Sequence, residues 1–187
     1  RYAAKVFDSN KRVSEEDFKT ILESARLAPC SLGIEAWKFL VIENPEMRAK
    51  IRAVGYDQPK ITDASHLVVI ARRTDVRESI TKELIERTAK QQGVEPSKLE
   101  GLEQMVKGVI ASRSDVELDA WVRSQAYIPL GIMIETAALL GVDAGPMEGF
   151  MPPEVDKILG LEEKHLASTT MIAFGYRGED PAAKRPK

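Results

Sequence analysis

The spacing of apolar residues first predicts a helix that begins after Ser14. Ser14 is a favourable N-cap, and the three acidic residues that follow suit the positive end of a helix dipole. The apolar positions at helical spacing are Phe18, Ile21, Leu22, Ala25 and Leu27. Pro29 then stops the helix. A second helix is predicted over residues 46–54, with Asn44 as its cap and Pro45 at its first position.

Stretches without helical periodicity predict the strands. Residues 37–42 and 168–176 are rich in β-branched and aromatic side chains. Residues 64–71 contain an unbroken apolar run, which predicts a central strand buried on both faces. Residues 142–144 predict a short fourth strand that leads towards Pro146.

Further helices are predicted between and after these strands. Residues 76–92 and 96–111 form amphipathic helices dominated by charges, which we interpret as solvated cover elements. A long apolar helix over 116–140 is expected to kink at Pro129 and Gly131, and a short helix covers 153–159. Strands far apart in sequence with helices between them predict an α+β, three-layer fold. The length of the apolar helix suggests the core of a dimer.

Composition narrows the class of protein. The 187 residues suit one domain, 1–187, without a linker or repeat. With 27 Lys+Arg against 29 Asp+Glu, the chain has no bulk attraction for nucleic acid or an anionic membrane. The apolar run 126–140 is shorter than the ~20 residues that span a bilayer.

One cysteine fits a cytoplasmic protein, and one cysteine with two separated histidines cannot build a zinc site. Since the first residue is not Met, we expect both natural termini to be missing.

Four segments carry candidate chemistry, and each has a plainer explanation. Arg1 and Lys5 place two cations on one short segment suited to an anion, or they are a solvated arm. The small residues of 28–37 let backbone amides approach a planar ligand, or they are a connector. Residues 57–60 and 146–150 read locally as polar turns. Neither a Rossmann nor a P-loop fingerprint is present.

Together these segments resemble the motifs of the nitroreductase family, in the same order along the chain. The matching strings are Arg1-Tyr2-Ala3-Ala4-Lys5, Pro29-Cys30-Ser31-Leu32-Gly33 through Trp37, and Pro146-Met147-Glu148-Gly149-Phe150. The resemblance implies an intertwined homodimer with a mostly antiparallel sheet wrapped by helices and FMN between the subunits. NADH or NADPH would reduce flavin N5, and a nitroaromatic, quinone or similar electrophile would then be reduced in a ping-pong cycle.

The resemblance also implies roles for individual residues. The residues implied to contact the FMN phosphate, its ribityl chain or the pyrimidine side of the flavin ring are Arg1, Tyr2, Ala3, Lys5, Asp57, Lys60, Gln125 and Lys187. The N5 edge is implied at Pro146, Met147, Glu148 and Gly149. The loop that reaches the partner's flavin is implied at Pro29, Cys30, Ser31 and Gly33. The position assigned to Asp57 could equally be Gln58. No side chain is implied as a general acid or base, and the chemistry stays on the flavin.

Three positions of the segment 28–37 depart from the family pattern: Cys30 replaces Ser, Glu35 replaces Gln and Ala36 replaces Pro. A fourth departure is Asp57, where the family has Asn. No histidine lies near Cys30 in sequence, so we interpret it as a packing residue and not as a nucleophile. Two alternatives to a nitroreductase remain. One is another enzyme on the same fold, such as an enone reductase, a dehalogenase or a flavin-fragmenting oxidase. The other is a non-catalytic FMN-binding protein.

Overall fold

A four-stranded antiparallel sheet forms the middle layer of the computed structural model, which describes residues 2–179. Its strands are β1 (Trp37–Val41), β2 (His66–Arg73), β3 (Asp143–Met147) and β4 (Leu166–Gly175), in the order β1-β2-β4-β3. The α+β prediction is confirmed, and so are all the predicted strands. β3 is longer than predicted, because its pairing with β4 continues through Met147 and Met171.

Seven α-helices surround this sheet within the described residues. They are α1 (Glu15–Arg26), α2 (Pro45–Val54), α3 (Lys60–Asp63), α4 (Thr81–Gln92), α5 (Glu100–Ala111), α6 (Asp115–Leu139) and α7 (Pro152–Leu159). The predicted caps are present: the Ser14 side chain accepts from the Asp17 amide, and the Asn44 side chain accepts from the Met47 amide. Within these residues no helix combines the length and the apolar character required to cross a bilayer.

The two faces of the sheet pack against different helices, which gives the predicted three layers. Alternate residues of β2 point to opposite faces. Val68 and Ile70 face a cluster built with α1 and α6. Leu67 and Val69 face a second cluster, which α2, α3, α7 and the N-terminal arm complete. Because both faces are covered, β2 lacks the alternation of a half-exposed strand.

The long helix α6 continues without interruption across Pro129 and Gly131. Proline has no N–H to donate, so the carbonyl of Gln125 loses its usual helical partner. The surrounding core compensates, because Ala126, Leu130 and Met133 are buried against the sheet and α1. Packing therefore supports one continuous helix, as predicted, and the kink at Pro129 and Gly131 stays a prediction.

The helices of segment 76–111 are more than the solvated cover elements that the sequence predicted. Its inner face forms a third apolar cluster, in which Val76, Leu84 and Val106 pack with Ile34 and Val122. The segment begins as a π-helical turn over Val76–Ile80 before α4. The sequence understated this core because its few apolar positions are separated by many charged ones that face solvent.

Arg48 on α2 is a buried cation that joins the ends of two strands. Only 6% exposed, it donates to the carbonyls of Ile42 (2.7 Å), Ala64 (2.7 Å) and Ser65 (3.1 Å). Desolvation lowers the pKa of Arg48. Its guanidinium supplies the donors for the carbonyls of Ile42 and Ala64, and it shares the Ser65 carbonyl with Arg12, which donates there at 2.8 Å.

Replacing Arg48 with Met should destabilise the fold by on the order of 3 kcal/mol, since each buried carbonyl left unpaired costs about 1–3 kcal/mol. Urea unfolding followed by circular dichroism measures this change. Lys50→Met, at an exposed position of the same helix, should change stability by less than about 0.5 kcal/mol. Equal effects of the two substitutions would contradict the structural role of Arg48.

Candidate functional site

The N-terminal arm lies along the outer edge of β3. Ala3 forms a parallel bridge with Ala144, and the Ala4 amide donates to the Ala144 carbonyl at 3.0 Å. Gly145 permits this approach: a methyl group added there would lie 2.5 Å from the Ala4 carbonyl oxygen. The structure thus places the predicted residues Tyr2, Ala3 and Lys5 beside the strand that leads into Pro146. Predicted residue Arg1 lies outside the described residues.

Lys60 reaches the same edge from α3. Its Nζ donates to the Pro146 carbonyl at 3.3 Å. Burial lowers the pKa of Lys60, and the positive charge of Lys5 lowers it further. The influence of Lys5 on Lys60 indicates that the two predicted cations lie in the same region of the molecule. The edge of β3 is therefore electropositive next to the 146–149 motif.

Backbone groups along β3 alternate between the inner and the outer edge. Those of Ala144 and Pro146 face outwards, because their carbonyls accept from Ala4 and Lys60. Pro146 is tolerated in this strand because the N–H that it lacks would also face outwards. Glu148 and Gly149 directly follow Met147, beyond the last residue pair of β3 and β4. Within residues 2–179 the amides of Glu148 and Gly149 donate to no acceptor, so this end of the edge is open to a ligand.

A left-handed turn decides whether Asp57 or Gln58 meets this edge. Tyr56 and Asp57 have φ values of 54° and 50°, a strained region for residues with a side chain. The Asp57 carboxylate accepts from Arg52 at 2.7 Å, and the Asp57 side chain is 83% exposed. The neighbouring Gln58 donates to the Gly149 carbonyl at 2.6 Å. The structure thus brings Gln58, the alternative to Asp57, to the motif.

Tyr127 is a residue at this edge that the sequence motifs missed. From α6 its hydroxyl donates to the Glu148 carboxylate in a short hydrogen bond. Burial and this bond raise the pKa of Tyr127 to about 12. The sequence feature that could have pointed to it is a tyrosine inside the apolar run 126–140, because a partly buried phenol usually has a hydrogen-bond partner.

The loop 30–35 lies elsewhere and is held by other helices. The Ser31 amide donates to the Gln125 side chain at 2.8 Å, which joins two predicted residues distant in sequence. Arg87 of α4 donates to the Gly33 carbonyl at 2.6 Å and forms an ion pair with Glu35 at 3.4 Å. These contacts hold a loop in which Leu32, Gly33 and Glu35 all have positive φ.

Cys30 belongs to the framework of this loop. Its sulfur accepts from the Glu35 amide at 3.2 Å. Burial raises the pKa of the Cys30 thiol, so the nucleophilic thiolate is disfavoured. Pro29 precedes it at an exposed position. The packing interpretation of Cys30 is consistent with this geometry.

The predicted residues therefore form two groups on different sides of α6. Gln125 holds the loop, while Tyr127 holds Glu148. The side chains of two residues that are two positions apart on a helix point in directions that differ by roughly 200°. We call the group at β3 the strand edge (Tyr2, Ala3, Lys5, Gln58, Lys60 and 146–149) and the other the loop group (29–33 and Gln125). Lys187, predicted for the phosphate, lies outside the described residues.

The fold has many solved counterparts. A crystal structure of the nitroreductase candidate ydfN from Bacillus subtilis superposes with a TM-score of 0.86 at 19% identity, covering 100% of this chain and 88% of that one. An FMN complex of a nitroreductase candidate from Exiguobacterium sibiricum has a TM-score of 0.82 at 21% identity, covering 100% and 88%. An enone reductase of gut-bacterial fatty acid saturation, CLA-ER, has a TM-score of 0.83 at 20% identity, covering 97% and 87%. The predicted nitroreductase fold is confirmed.

Sequence comparison gives the family. The model of the Nitroreductase family matches residues 1–176, and the chain belongs to that family. YfkO of Bacillus subtilis, named as a candidate NAD(P)H nitroreductase, is 41% identical over 198 residues, with 100% of this chain and 88% of YfkO covered. A similarly named protein of Staphylococcus saprophyticus is 38% identical over 192 residues, covering 98% and 88%. The family prediction is confirmed.

Replacing Gly145 with Ala should release the N-terminal arm, because the new methyl group would overlap the Ala4 carbonyl. We expect a loss of about 1–3 kcal/mol, typical of overpacking, and faster tryptic cleavage after Lys5. Time-resolved proteolysis with mass spectrometry measures the latter.

Gly108→Ala is the matched control, since nothing lies within 4 Å of a methyl group there. In the middle of α5 it should stabilise the helix by up to about 1 kcal/mol. An unchanged cleavage rate in the Gly145 variant would show that the arm does not depend on this close approach.

Proposed function

We propose that this protein is an FMN-dependent NAD(P)H oxidoreductase that reduces nitroaromatics, quinones or similar electrophiles. The observation that carries the proposal is the strand edge, which combines two lysines with the Glu148 and Gly149 amides, which donate to no acceptor within residues 2–179. Bound FMN would supply the hydride-accepting chemistry, which no side chain of the chain provides. The relatives named as candidate NAD(P)H nitroreductases and the FMN complex of a structural neighbour support this proposal.

The residues of the strand edge fit a flavin chemically. Lys5 and Lys60 would stabilise negative charge on the reduced ring, since nearby cations favour an anion. The open amides of Glu148 and Gly149 are donors for the ring's N5 edge, and Gly149 allows a close approach. Tyr2 and Ala3, with Arg1 before them, would lie along the ribityl chain and phosphate. Lys187 would add a second cation at the phosphate.

Gln58 is better placed than Asp57 to support the ring. Asp57 is engaged by Arg52, whereas Gln58 already touches Gly149. Both donations from the Gln58 amide nitrogen go to the carbonyls of Gly55 and Gly149, which leaves its oxygen to accept from a ligand N–H. We therefore assign the pyrimidine contact to Gln58.

The separation of the loop group from the strand edge supports a homodimer. One chain presents the two groups on different sides of α6, so a second copy is needed for both to meet one ligand. Pro29, Cys30, Ser31 and Gly33 would then reach the flavin of the partner. Leu139 and Val116 at the two ends of α6 are 82% and 80% exposed, and Leu27 after α1 is 65% exposed. Such apolar residues suit an interface.

The purified protein should bind FMN and lose the flavin's visible absorbance when NADH or NADPH is added without oxygen. A panel containing a nitroaromatic, a quinone and a conjugated enone should then reoxidise it, with the first two fastest. Bound FMN that neither nucleotide reduces would indicate a non-catalytic flavin protein. An enone preferred over the nitroaromatic would indicate the enone reductase alternative. No FMN binding would refute the proposal.

Subunit mixing tests the shared site. Lys60→Met damages the strand edge, and Gly33→Val damages the loop, where φ is 68°. Each homodimer should lose at least about tenfold in activity, because Lys60→Met removes a stabilising charge and Gly33→Val strains the loop by on the order of 1–3 kcal/mol. Refolding an equal mixture should restore about a quarter of wild-type activity, since half the dimers would carry one intact site. No recovery, with dimers confirmed by light scattering, would refute a site built from two subunits.

A further inference from the structure

We propose that Tyr127 is a positioning residue that holds the Glu148–Gly149 segment with its amides turned towards the ligand; this inference rests on the proposed function. The segment directly follows β3, where ladder bonds end and the backbone is no longer held by β4. Both residues are exposed, so burial does not fix them. Other contacts must therefore set the direction of their amides.

Three contacts hold the segment, and each engages an acceptor. Gln58 donates to the Gly149 carbonyl, the Phe150 amide donates to the Glu148 carbonyl at 2.9 Å, and Tyr127 donates to the Glu148 carboxylate. Both carbonyls and one carboxylate oxygen are thus engaged, and within residues 2–179 the two amides are the backbone groups of the segment without a partner. The Tyr127 contact alone comes from a helix on the other side of the motif.

Tyr127 is suited to this role because its own position is fixed. Its ring packs against the cluster that joins α1, α6 and the sheet. A phenol has few rotatable bonds, so a packed ring places its hydroxyl accurately. Raised to about 12, the pKa of Tyr127 keeps the hydroxyl protonated, and thus a donor, throughout the working range of pH.

The contact also controls a negative charge. A free Glu148 carboxylate could swing over its own or the Gly149 amide and compete for those donors, as acidic side chains commonly do near turns. A carboxylate at a hydride-accepting edge would also oppose negative charge that develops there. Holding it on Tyr127 removes both effects. The role is positional, because Tyr127 acts through Glu148 and not on the ligand.

A double-mutant cycle tests the inference. Tyr127→Phe should slow anaerobic flavin reduction by NAD(P)H by about tenfold, because it releases the segment and frees the carboxylate. Glu148→Ala releases the segment but removes the carboxylate, so it should slow reduction by about threefold, and the double variant should match Glu148→Ala. Each should also shift the absorption spectrum and the midpoint potential of bound FMN, while FMN affinity changes less than about threefold, because the phosphate and ring contacts remain. Glu148→Gln retains an acceptor and should stay close to wild type.

Tyr176→Phe is the matched control, since this tyrosine also packs against the α1–α6 cluster. It should leave reduction rate, spectrum and potential unchanged. If Tyr127→Phe behaves like Tyr176→Phe, or if its effect multiplies with that of Glu148→Ala, the inference is wrong. Should Tyr127→Phe fail to fold, normal spectrum, potential and rate in the exposed Glu148→Ala variant would still overturn it.

The wild type separates this inference from the proposed function. Wild-type protein that binds no FMN, or whose FMN is not reduced by either nucleotide, refutes the function and this inference together. A normal wild type with unaffected Tyr127 and Glu148 variants refutes only the positioning role.

Discussion

The outer edge of β3 is the constraint on which the candidate site depends. Backbone groups of an antiparallel strand alternate between its two edges, and β4 takes the inner set. The outer set passes from Ala144, covered by the arm, to Pro146, covered by Lys60. The strand then leads to Glu148, whose amide donates to no acceptor within residues 2–179. Gly145 lets the arm lie close enough to begin this series. A strand edge that could pair with another chain is instead occupied by the arm and Lys60 up to the point where a ligand can bind.

Helix α6 contacts both the strand edge and the loop group. Its apolar residues complete the core between α1 and the sheet, while two polar residues on different sides, Gln125 and Tyr127, hold the loop group and the strand edge. One rigid element thus sets the positions of both groups, and it also keeps them apart within one chain. The same geometry that stabilises the subunit therefore leaves its site to be completed by a second copy, as we propose.

The departures from the family pattern are accommodated by local partners. Glu35, where the family has Gln, pairs with Arg87 of α4, and Arg87 also holds the Gly33 carbonyl. Cys30, where the family has Ser, accepts from the Glu35 amide through sulfur. The loop is consequently tied to the segment 76–111, which has its own apolar cluster. The partner of Glu35 thus lies on a helix more than fifty positions away in the sequence.

From the sequence alone, every helix except the short α3, the strands, the caps and the family could be predicted, because periodicity, capping and short motifs are local properties of the chain. The order of the four strands, the choice of Gln58 over Asp57 beside Gly149, and the contact of Tyr127 with Glu148 could not. Each depends on the direction of a side chain or on pairing between residues far apart. A left-handed turn at Tyr56 and Asp57 reverses which neighbour faces the motif, and helical rotation separates Gln125 from Tyr127. Only packing in three dimensions decides such directions. Moving a contact from one residue to its neighbour leaves the local pattern of apolar and polar residues almost unaltered.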